Sequence, residues 1–183
     1  MTHDEALAIV REHINNENLV KHMLGVEAAM RAYARHFGED EDKWGAAGLL
    51  HDADYEETPD MENHSLRSAE IAAEAGLAED VVYAIRAHND AHDLPREDRL
   101  SKTLFAVDEL VGLIVAVALV RPSKKIADVK VKSVTKKMKD KSFAAAIDRD
   151  ELVRGADELG VDFREHVGVV LDAMKGISDD LGL

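Results

Sequence analysis

The 183-residue chain contains no cysteine, which excludes disulfides and thiolate zinc sites. A reducing cytoplasm suits such a chain, and a cytoplasmic protein is expected. Aromatic residues make up only 4%, and there are three prolines. With Ala, Leu, Val, Glu and Lys abundant, that composition favours helix. Long apolar runs are also missing. The longest, 110–120, has eleven residues, too few to span a bilayer, and reads as a buried helix. Met1 to Glu5 hold neither a basic nor an apolar segment, so no signal peptide is expected. Positive charge is scarce: 23 Lys and Arg face 37 Asp and Glu, for a net −14. A nucleic-acid duplex requires a large positive footprint, so nucleic acid is not expected as the main partner, nor is a membrane.

The basic residues that do occur are clustered. Between 121 and 141 there are nine Lys or Arg against two Asp, a local charge of +7. This segment is either a solvated helix face or a patch that draws a phosphorylated ligand toward a nearby pocket. Apolar periodicity and capping residues divide the rest into helices, with no period-two strand and no repeat. Thr2 to Glu5 form a capping box opening a helix to about residue 16. Asn18 caps a second over 19–36, closed by Gly38, and further helices cover 41–52, 64–75 and 79–89. A polar loop with Pro59 separates the third from the fourth. The longest helix covers 99–120 and ends at Pro122. Short helices fill 124–146, Asp148 caps one over 149–159, and the last runs from Asp162 or Phe163 to Leu181. The expected fold is all-α, one domain over 1–183.

Several polar residues occupy positions where this pattern demands core. Asp108 sits among Leu104, Val111 and Val115 at helical spacing, so its carboxylate interrupts an apolar stripe. Buried without compensation it would cost several kcal/mol, so a metal, a basic side chain or a helix N-terminus must face it. His22, between Leu19 and Val26, points inward by the same argument, and His88 lies one turn after Ile85. His64 stands at a helix start. Gly45 to Leu50 form a small-residue helix that delivers His51-Asp52 at its end. Three His-Asp pairs occur where roughly one is expected by chance, and the company of the middle one singles it out. Adjacent side chains diverge by about 100° on a helix, so only a turn or a shared metal ion lets both serve one site.

In chain order His22, His51-Asp52, His64, His88 and Asp108 resemble the HD-domain superfamily of metal-dependent phosphohydrolases, whose signature is H…HD…D on a helical bundle. The resemblance covers about 18–120, leaving a basic helical segment and C-terminal helices over 121–183. Members holding two metals carry two further His where His64 and His88 stand. The resemblance implies that His22, His51, Asp52 and Asp108 hold a first divalent ion, with Asp52 bridging to a second bound by His64 and His88. An all nitrogen and oxygen set suits Fe, Mn, Zn, Co or Ni, with Mg as a further option. Many members read HD-x-x-Lys; here that position is Tyr55. The implied activity is hydrolysis of a small, nucleotide-like phosphate ester by a metal-activated water, with Asp52 at the centre. The resemblance does not fix the general acid/base, for which Asp54 and Glu56 are candidates. Lys102, Arg86, Arg121 and Lys124 are candidates for phosphate contacts. Two other readings stay open: an HD-fold di-iron oxygenase, and a non-catalytic sensor of metal or nucleotide.

Overall fold

Apolar residues spaced three and four apart bury one face of each segment, and the outcome is all-α. The computed structural model describes residues 1–58 and 60–183; Pro59, placed above in a polar loop, lies outside the described residues. Among the described residues there are ten α-helices and no strand. α1 (His3–His13) opens on the expected capping box, with Thr2 N–H donating to the Glu5 carboxylate at 2.8 Å. α2 (Glu17–Phe37) begins two residues earlier than predicted, because Asn16 rather than Asn18 is its cap and accepts from the Asn18 N–H. α3 (Glu41–Leu50) stops short of residue 52, and residues 51–57 continue as turns. α4 (Leu66–Glu74), α5 (Glu79–Ala87) and the 21-residue α6 (Arg99–Leu119) follow.

The basic segment is less helical than predicted. Between 124 and 146 it holds a short 3-10 turn and one α-helix, α7 (Val131–Lys137). α8 (Arg149–Leu159) is capped by Asp148 as expected. The final helix is two helices, α9 (Phe163–Lys175) and α10 (Ser178–Leu181). Gly176, a poor helix former, and Ile177, whose φ of −121° is not helical, part them.

α2 packs against α3, α6 and α9, while α6 packs against α5 and α8. Two glycines set how tightly. A Cβ on Gly48 would meet the Glu27 backbone at 2.8 Å, so only glycine lets α3 lie this close to α2. A Cβ on Gly155 would likewise meet the Ala106 Cα at 2.8 Å, where α8 crosses α6. Leu104, Leu110, Leu113 and Ile114 fill the centre fully buried, each contributing about 1.5–3 kcal/mol.

One buried polar chain runs through this core. The Tyr33 hydroxyl donates to His166 Nδ1 at 2.6 Å, and His166 Nε2–H donates to the Ala106 carbonyl at 2.9 Å. Burial holds the His166 pKa below its ordinary value, which keeps the ring neutral and joins α2, α9 and α6. Among the described residues no helix is long and apolar enough to cross a membrane.

Candidate metal centre

The close packing of α3 on α2 brings the end of α3 into the core, where the helix stops and the chain turns. His51 occupies the C-cap position with no exposed surface, and Asp52 follows, 5% exposed. His51 Nδ1–H donates back to the Gly48 carbonyl at 2.8 Å. A carbonyl carries no proton, so the bond fixes the tautomer, and the Nε2 lone pair faces inward. His88, at the C-cap of α5, repeats the device through Nδ1–H to the Ile85 carbonyl at 2.6 Å. His64 donates Nδ1–H to Asp54 Oδ1 at 2.9 Å. Three rings are thus locked with Nε2 aimed at one place.

What they aim at is a pair of carboxylates. Asp52 Oδ1 lies 3.3 Å from His51 Nε2, 3.2 Å from His64 Nε2 and 3.6 Å from His88 Nε2. Asp108 Oδ1 lies 2.9 Å from His22 Nε2 and 3.5 Å from His51 Nε2. Asp52 Oδ2 reaches toward His22 Nε2 at 3.7 Å. Donors bound at 2.0–2.2 Å to one ion stand about 3–3.5 Å apart, so these separations fit a metal. His22, His51 and Asp108 form one group of donors within 4.8 Å of one another, and His51, Asp52 and His88 form another.

The electrostatics demand positive charge at this point. His51 Nε2 and Asp52 Oδ1 are buried without any hydrogen-bond partner. A neutral imidazole lone pair facing a carboxylate lone pair is repulsive, so a cation must sit between them, as protons or as a metal. Burial opposes ionisation of both Asp52 and Asp108, yet the surrounding imidazoles hold both carboxyls well below the usual range. Burial likewise acts to lower His64, but hydrogen bonds to Asp52 and Asp54 lift it to about 9. The donor set accommodates a divalent ion, with the six predicted residues converging from α2, the turn after α3, the lead into α4, the end of α5, and α6.

The HD-domain family model matches residues 19–113, just over half of the sequence and all six of these positions. The chain belongs to the HD domain family. That family is one of metal-dependent phosphohydrolases, in keeping with the His/Asp cluster. Among curated proteins the chain is similar to Ribonuclease Y of Oleidesulfovibrio alaskensis, 32% identical over 98 residues, 53% of this chain and 18% of the relative. It is 34% identical over 98 residues to Ribonuclease Y from two strains of Nitratidesulfovibrio vulgaris, with the same coverage. The chain therefore spans under a fifth of the length of the curated relatives it matches. No solved structure matches it.

Other expectations need correction. Asp54 is fully buried, with one oxygen taken by His64 and the other accepting the Ser68 N–H at 3.1 Å. Absent from the cavity lining, it orients His64 and has no route to a substrate proton. Glu56 turns away altogether, accepting the Asn15 and Asn16 backbone N–H groups at the turn between α1 and α2. The four candidate phosphate contacts also lie elsewhere. The cavity above the carboxylates, about 620 Å³, is lined by Tyr55, Phe105, Glu109 and Glu151 among others, and by no Lys or Arg among the described residues. Arg86 and Lys124 are exposed, and Arg121 reaches Ser133. Lys102 precedes Asp108 by six residues, about 240° around the helix, and faces away.

Sequence reasoning passed over the supports of His64. Asn89 Nδ2 donates to the His64 carbonyl at 3.0 Å and His92 Nε2–H at 2.7 Å. Ser65, buried and left-handed at φ 73°, swings the chain so that His64 enters the site. His92 stands behind the His64 backbone and does not line the cavity. A His close in sequence to a candidate ligand is the one sequence signal for such a support. Glu109, adjacent to Asp108 and the most hidden in retrospect, is pushed up to about 7 by burial and by the charges of Asp108 and Glu151.

Proposed function

We propose that this protein hydrolyses a small phosphate ester with one or two divalent transition-metal ions. The observation that supports it is the convergence of His22, His51, His64 and His88, through Nε2, on the carboxylates of Asp52 and Asp108. His22, His51, Asp52 and Asp108 would hold the first ion, and His64, His88 and Asp52 the second. Divalent ions there supply charge neutralisation at phosphoryl oxygens and a water acidified toward neutral pH.

The protein's own groups do the rest. Gly48, Ile85 and Asp54 fix the imidazole tautomers, so the nitrogens need no reorganisation when loaded. The buried position of His51 and Asp52 excludes bulk water from one side of the centre and leaves the cavity as the approach. In the reaction water oxygen bonds to phosphorus, the ester P–O bond breaks, and the alcohol departs with a proton. Asp54 and Glu56 take no part in that transfer, being held by Ser68 and by Asn15 and Asn16.

Turnover of aryl and alkyl phosphates by protein loaded with Mn²⁺, Fe²⁺, Zn²⁺, Co²⁺ or Ni²⁺ tests this reading. Hydrolysis that Asp52→Asn lowers by at least about a hundredfold supports it; oxygen consumption without phosphate release points instead to the oxygenase chemistry. The matched relatives are named Ribonuclease Y, so RNA phosphodiester cleavage is a second reaction to assay. The acidic cavity lining argues against it.

A further inference from the structure

The cavity over the candidate metal centre has a charge problem on the wall formed by α6 and α8. Besides the proposed ligands, His22, His64 and His88 among them, it is lined by Asp90, Glu109 and Glu151, with no Lys or Arg among the described residues. Asp90 is neutralised outside the cavity, bonded to Arg96 at 2.9 Å and to Arg154. Arg96 and Arg154 also serve Glu158, at 2.9 and 3.9 Å, which exhausts their charge. Glu151 has only a share of Arg154, at 3.6 Å. Glu109 makes no hydrogen bond or ion pair among the described residues. Four carboxylates (Asp90, Glu109, Glu151, Glu158) thus face two guanidiniums, and the excess falls on the two glutamates that line the cavity.

The fold sets these glutamates opposite one another. α8 crosses α6 where Gly155 meets Ala106. Glu151 lies four residues before that crossing on α8 and Glu109 three after it on α6, each about one turn away. The floor of the same cavity is Asp52, buried, with Oδ1 unpartnered. One end of the cavity therefore calls for cations and, once they bind, for a phosphate. The wall formed by α6 and α8 keeps two half-buried carboxylates, Glu109 with no partner among the described residues and Glu151 with only its share of Arg154.

We propose that the substrate is a phosphate monoester whose opposite end is a cation, a primary ammonium or guanidinium, received by Glu109 and Glu151. The inference rests on the phosphohydrolase reading for its phosphate half, while the cation half stands on the cavity wall alone. An ammonium there cancels the excess charge and makes charge-assisted hydrogen bonds to both carboxylates. A second phosphate is repelled by them, which disfavours nucleoside di- and triphosphates. The nucleotide-like substrate expected from the family resemblance is replaced by a small zwitterionic ester.

Binding of 2-aminoethyl phosphate and propyl phosphate, isosteres that exchange ammonium for methyl, to Mn²⁺-loaded protein by calorimetry tests this. The aminoethyl ester is expected to bind at least about tenfold tighter. The ratio should shrink from 50 mM to 500 mM NaCl, as a half-exposed ion pair requires. Glu151→Gln, and separately Glu109→Gln, should each bring it to within about threefold, with unchanged melting behaviour as the folding control. Equal affinities for the two esters, or a ratio untouched in both variants, would overturn the proposal. Phosphate release from either ester reports separately on hydrolysis. A preserved binding ratio without turnover supports the cation site while sinking the phosphohydrolase reading; equal turnover and equal binding do the reverse.

Discussion

Removing and restoring the metal should change the stability of the whole fold. His51 Nε2 and Asp52 Oδ1 are buried and unpartnered, and each such atom costs about 1–3 kcal/mol. An ion that satisfies both recovers about 2–6 kcal/mol. At a free metal concentration a hundred times Kd, mass action stabilises the native state by about 2.7 kcal/mol, which sets the shift to be read. For a chain of 183 residues, 1 kcal/mol moves Tm by about 2–4 °C, so loading should raise it by about 5–11 °C. Scanning calorimetry of chelator-treated protein, with and without Mn²⁺ at a hundred times its measured Kd, reads the shift directly. Asp52→Ala, which removes the carboxylate shared by three imidazoles, should abolish it. A full shift in that variant would refute the ligand assignment, and so would metal binding to wild type with a Tm change under about 1 °C.

Asp54→Ala should lower metal affinity by about 10–100-fold, because it withdraws the acceptor that orients His64. At saturating metal its kcat should match wild type; a lost kcat would return Asp54 to the chemistry. The His64 pKa of about 9 sets a pH dependence. In metal-free protein its stabilising contribution is full below the ordinary value of 6.5 and is lost as pH rises through about 9. Metal needs the neutral ring, so the Tm gap between loaded and metal-free protein should widen across that window, and a flat gap would contradict the assignment. Gly48→Ala forces α3 off the Glu27 backbone and should cost about 1–3 kcal/mol together with part of the metal affinity, checked by denaturation and metal analysis.

The metal-binding candidates were legible because each violates its surroundings. Asp108 and His22 stand in apolar stripes, and no spacing rule explains a carboxylate among Leu104, Val111 and Val115. Asp54 and Glu56 misled because they follow the candidate ligand pair closely in sequence, while the turn over 51–57 sends them to different partners. Lys102 misled similarly, since closeness along a helix ignores its rotation. Glu109 and Glu151 were invisible for the opposite reason: two glutamates on exposed-looking helical positions become cavity walls only when Gly155 brings α8 onto α6. The split between α9 and α10 was not legible because a single glycine, Gly176, does not by itself mark a helix break.

The stretch matched by the family model ends at residue 113, yet His166 lies well past it and hydrogen-bonds Ala106, two residues ahead of Asp108. The C-terminal helices are therefore a buttress behind the last acidic candidate ligand. A version shortened before α9 would keep every donor atom but let that stretch of α6 drift against Tyr33. Metal selectivity, not only solubility, is the property such trimming would degrade.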